Sequence, residues 1–90
     1  MTEKDLIPGT VVQHFKRKML TEAERADSTQ YLYEILGVAH HTETGEKLAV
    51  YRALYGEGKI CARPLDMFLS ETDHEKYPQA KQKFRFEPLK

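Results

Sequence analysis

The chain has no tryptophan, one cysteine and no long apolar run. The missing run removes a membrane-spanning helix, which needs roughly 20 mostly apolar residues in succession. Cys61 has no second cysteine to pair with, so no internal disulfide forms, in keeping with a reducing compartment. The leader MTEKDLIPG lacks an apolar segment with a small-residue cleavage site, so no secretory signal is expected and a cytoplasmic location is. An excess of either charge is missing too, since 14 basic and 14 acidic residues cancel. That balance argues against a protein that wraps duplex nucleic acid or lies on a membrane surface, because both neutralise phosphates with surplus Lys and Arg.

Within these limits there is material for one small core. The chain has 90 residues, 40% of them hydrophobic, with five tyrosines and four phenylalanines among them, which suffices for one domain and leaves no room for separate substrate and cofactor domains. The expected organisation is a single domain over residues 1–90 with its core at about 9–70, a polar loop at 71–83 and a possible last strand at 84–88.

The pattern of residues favours strands. After the Pro8-Gly9 breaker, Val11 to Phe15 are rich in strand formers. Residues 31–38 and 48–55 carry Tyr, Leu, Ile and Val without helical spacing and face each other as two long strands. The turn between them, TETGE, puts Gly45 where a type I turn with a bulge needs positive φ. With Thr42 opposite Glu46, His40 would face Leu48, Val38 would face Val50 and Leu36 would face Arg52. A second turn at Gly56 to Gly58 leads to a short strand ended by Pro64, and Leu65, Phe68 and Leu69 have the spacing of one helical turn. Between the first strands, Thr21 and Glu24 form a capping-box pattern for a short helix that Asp27, Ser28 and Thr29 break. These elements predict a mainly β fold: a small, strongly bent antiparallel sheet or an SH3-like barrel, with a short helical insertion and a helical turn near the C-terminal strand.

Four blocks, HFK at His14, AHHTETGE at Ala39, VYRALYG at Val50 and RPLDMF at Arg63, resemble a family of small bacterial proteins known as domain of unknown function 1653. The resemblance covers Gly9 to about Leu69 and implies a compact bacterial domain; it carries no reaction, cofactor or partner. Members of that family have a shorter connection after HFK, so the resemblance marks Lys18 to Gln30 as an insertion, and Cys61-Ala62 stands where they show a tryptophan and a larger aliphatic.

Candidate chemistry is sparse. His14, His40, His41 and His74 have none of the paired spacings of a metal site, and neighbours such as His40 and His41 point to opposite faces of a strand, so no metal and no cofactor is expected. Cys61 reads as a small buried core residue, and the basic run HFKRK as a solvated strand end. The constellation with most to offer is Tyr33, Tyr51, Tyr55, Arg63 and His14, polar-tipped side chains that strand parity and the hairpin bring to one face. Such a face suits a non-catalytic binding module for a protein partner or a small polar ligand; the competing assignment makes it a second small core beneath the insertion and the C-terminal loop. Single-stranded nucleic acid is the alternative ligand, with the aromatics as stacking platforms and Lys16, Arg17 and Lys18 on the backbone. A small hydrolase with His14 or His40 as base is a further alternative, supported by residue types alone.

Overall fold

The computed structural model describes residues 1–89. Its strands are β1 (Val11–His14), β2 (Leu32–His40), β3 (Lys47–Ala53), β4 (Ile60–Pro64) and β5 (Phe86–Pro88), in one antiparallel sheet of order β4-β3-β2-β1-β5. The helical elements are short: 3₁₀ turns at Glu3–Asp5 and Phe15–Met19, α1 (Glu22–Asp27) and α2 (Leu65–Phe68). The fold is therefore mainly β, and of the two forms expected the bent open sheet is the one found. The barrel does not close, because β4 and β5 remain at opposite edges. Side chains fill the space between those edges instead: Phe68, just after β4, stacks on Phe86 of β5 with ring centroids 4.2 Å apart and planes 9° from parallel.

The β2–β3 hairpin turns as expected at Gly45, whose φ of 76° suits a residue without a Cβ. Its register differs from the expected one. His40 pairs with Lys47, Val38 with Ala49 and Ile35 with Tyr51, and a bulge lies between Ile35 and Gly37. The turn is set by backbone bonds from His41 N–H to Glu46 and from Gly45 N–H to His41, which shifts the pairing by one residue. The bulge then takes up one more, so that Ile35 and Val38 both face the core despite their odd spacing. His41 also contributes to the turn, since its Nδ1 accepts the Glu43 and Thr44 N–H groups at 3.2 and 3.3 Å.

One face of the curved sheet carries the core. Val12, Ile35, Ala49, Tyr51 and Phe86 come from successive strands, Leu6 and Phe68 cap them, and all are buried. The other face is more polar, with Glu34 and Arg52 paired across β2 and β3 at 2.6 Å. The loop after α2 returns through a single bridge between Glu71 and Phe84, from which β5 adds to the free edge of β1.

The insertion after β1 is held at both ends. Thr21 and Glu24 form the expected capping box, with Thr21 Oγ1 accepting the Glu24 N–H and Glu24 Oε1 accepting the Thr21 N–H. At the other end Arg17 donates to the carbonyls of Arg25, Ser28 and Gln30 at 3.0, 3.1 and 2.9 Å. The basic run is thus not a solvated strand end. It forms a 3₁₀ turn in which Phe15 and Arg17 are buried, because six residues of helix cannot hold themselves together and the guanidinium supplies the missing partners for α1's last carbonyls.

Candidate functional site

Strand pairing collects the site. In an antiparallel sheet, directly opposed residues share a face. His14 opposes Phe86, Val12 opposes Tyr33, Tyr33 opposes Ala53, and Tyr51 opposes both Ile35 and Cys61. Arg63 opposes Ala49 two positions along β4 from Cys61, so it projects to the same concave face. Curvature then brings the ends of the sheet together: the Arg63 guanidinium of β4 lies 5.5 Å from the centre of the Phe86 ring of β5.

The result is a cavity of about 380 Å³ lined by His14, Tyr33, Tyr51, Tyr55 and Arg63, all five of the residues chosen from the sequence, together with Lys16, Tyr31, Lys59, Cys61 and Phe86. Tyr51 is buried in the core and Tyr33 packs against it, while Tyr31, Tyr55 and Arg63 are only partly buried. The face therefore serves as core at its floor and as an open cavity above it. Tyr55 lies beyond the end of β3, in the turn that Gly58 N–H closes onto the Tyr55 carbonyl. Its hydroxyl meets that of Tyr33 at 2.6 Å, the cross-hairpin contact expected from the sequence.

Apart from Glu57 on the exposed turn, the charged and ring-nitrogen groups that line the cavity are donors. His14 Nδ1 accepts the Lys16 N–H at 3.2 Å, so the ring proton of neutral His14 resides on Nε2 and can be donated. Burial, and then the charges of Arg63, Lys16 and Arg85, lower the His14 pKa from 6.5 to about 4, which leaves the ring neutral near pH 7. Burial raises the Tyr33 pKa, as does its bond to Tyr55, and it raises that of Tyr51 with partial opposition from Arg63, so these phenols keep their protons. Arg63 forms no bond with Asp66, whose carboxylate accepts the Met67 N–H at 2.9 Å instead.

Other candidates fall elsewhere. His40 is exposed at the end of β2, His41 is engaged in the turn and His74 sits on the exposed loop, so the four histidines do not converge. Cys61 is not a buried core residue: it is partly exposed and lines the cavity, because β4 is an edge strand with no neighbour beyond it. Two aromatic residues that line the cavity were not among those chosen from the sequence. Tyr31, expected at the start of the strand over 31–38 with the parity of Tyr33, instead precedes β2 and adopts a φ of 68°, uncommon for a side chain of its size. Phe86 reaches the cavity only through the pairing of β5 with β1.

A family model spans this whole arrangement, matching residues 10–88 from the start of β1 to the end of β5. The chain belongs to the family described as protein of unknown function (DUF1653). The match extends beyond the four sequence blocks to include β5, and hence Phe86 on the cavity floor. No curated protein and no solved structure matches the chain.

Proposed function

We propose that this DUF1653 protein is a non-catalytic binding module whose ligand is a small polar molecule held in the cavity of the concave face. The observation that carries this is the convergence of His14, Tyr33, Tyr51, Tyr55 and Arg63 on one cavity whose volume, about 380 Å³, falls in the range of small-molecule sites. A concave, aromatic-lined space with a few polar groups suits a small ligand better than a flat protein partner does. Single-stranded nucleic acid is less well supported: of the three basic residues assigned to its backbone, Arg17 is committed to carbonyls of the insertion and only Lys16 lines the cavity. Hydrolysis is disfavoured by the chemistry of its base, since a histidine with a pKa of about 4 is far from the value near 7 that makes a general base effective, and His40 lies outside the cavity.

The test is a screen of small polar molecules against the isotopically labelled protein by NMR. Binding should move the amide signals of His14, Tyr31, Tyr55 and Arg63 together. Hits whose shifts cluster elsewhere, or salt-sensitive binding of a single-stranded oligonucleotide in place of small molecules, would overturn the proposal.

A further inference from the structure

Building on that reading, we propose that the ligand is an organic anion: a planar ring carrying a carboxylate or phosphate, with the oxyanion facing Arg63 and Lys16 and the ring among the tyrosines. The first support is the placement of charge. The chain has equal numbers of acids and bases, yet the ion pairs among its described residues are Lys47 with Glu3 and Arg52 with Glu34, both away from the cavity. Arg63, Lys16 and Lys59 line the cavity without a carboxylate partner among those residues, and Glu57, on an exposed turn, is the one acid beside them.

The second support is how two of these cations are held. Arg63 lies over the face of Phe86 and Lys16 over the face of Tyr77, each 5.5 Å from the ring centre. An aromatic face restrains a cation without neutralising it, so both charges stay available to an incoming anion. A carboxylate in either place would have cancelled the charge.

The third support is the hydrogen-bonding inventory. Neutral His14 offers Nε2–H, and the Tyr33–Tyr55 pair uses one phenolic proton between its oxygens and leaves the other to donate outward. An acceptor-rich group satisfies such donors, and a fork such as Arg63 matches the two oxygens of a carboxylate or phosphate. The ring assignment follows from the walls: Tyr31 and Tyr55 lie with centroids 6.0 Å apart and planes at 62°, presenting aromatic surface beside the donors.

The experiment is calorimetric titration of the full chain with two matched pairs, benzoate against benzamide and uridine monophosphate against uridine. At least one anion should bind roughly ten-fold or more tightly than its neutral partner, as loss of a charge-assisted bond implies. Arg63→Ala should lower that affinity by roughly ten-fold or more and Arg63→Lys by less, with thermal melts showing that both variants fold. The anion that binds identifies the carboxylate or the phosphate as the source. Neutral partners binding as tightly as their anions, anion binding that survives Arg63→Ala, or no binding of either anion at millimolar concentration would overturn the inference. If neutral molecules alone occupy the cavity in the NMR screen, the binding-module reading stands and the anion falls; if nothing occupies it, the reading itself fails.

Discussion

Arg17, in the 3₁₀ turn after β1, and Arg63, on β4, should behave oppositely when removed. Arg17 is 9% exposed and donates to three backbone carbonyls, at 2.9 to 3.1 Å, from the end of α1 and the segment leading to β2. A hydrogen bond from a charged donor contributes about 1.5–3 kcal/mol net, but the three share one side chain and part of the loss is recovered when water reaches the exposed segment. Arg17→Met should therefore cost about 2–4 kcal/mol. For a domain of this size about 1 kcal/mol moves the melting temperature by roughly 4–8 °C, so a fall of roughly 10–30 °C is expected by circular dichroism. Arg17→Lys, which keeps the charge but not the fork, should recover part of it. Hydrogen exchange should report the loss first in residues 21–30, where the insertion depends on this side chain. A melting temperature for Arg17→Met within about 2 °C of the parent would refute the structural role. Arg63, with a ring face in place of hydrogen-bonded carbonyls, should cost only about 1 kcal/mol as Arg63→Ala.

Stability should also depend on His14. Its folded pKa of about 4 lies below the ordinary 6.5, so between those values the unfolded chain binds the extra proton: the contribution is fully present above pH 6.5 and is lost as pH falls towards 4. The gap corresponds to about 3 kcal/mol, cut to about 1–2 kcal/mol by solvent screening of this partly exposed ring. Denaturant titrations of the parent and His14→Gln should diverge over that window, and parallel curves would count against it. Gly45→Val should cost about 1 kcal/mol or more in thermal melts from backbone strain alone, since a Cβ there meets nothing within 4 Å. His41→Ala, which releases two exposed turn N–H groups, should cost about 0.5 kcal/mol by the same measurement. Tyr31→Gly should relieve the positive φ and leave the melting temperature little changed while weakening ligand binding, because the residue pairs backbone strain with a place in the cavity wall. A large drop in melting would mark Tyr31 as structural instead.

What the sequence determined by itself was governed by a few neighbouring residues. Gly45 set the hairpin turn through the steric freedom of its own backbone, and Thr21 with Glu24 set the start of α1 through bonds three residues apart. Parity within a strand, which depends on the pleat alone, was enough to assign Tyr33, Tyr51 and Arg63 to related positions. Tertiary structure decided the rest. The register and the bulge between Ile35 and Gly37 came from matching buried residues across strands, where a slip of one residue reverses every face. The burial of Arg17 depended on carbonyls up to 13 residues away, and Phe86 reached the cavity because β5 found the edge of β1 across most of the chain. An open sheet rather than a barrel followed from Phe68 and Phe86 filling the gap between its edges. Whether a cation stands paired or free is likewise a property of the assembled surface: composition counts the charges, and only packing determines that Arg63 and Lys16 rest on aromatic rings while Glu3 and Glu34 pair with Lys47 and Arg52.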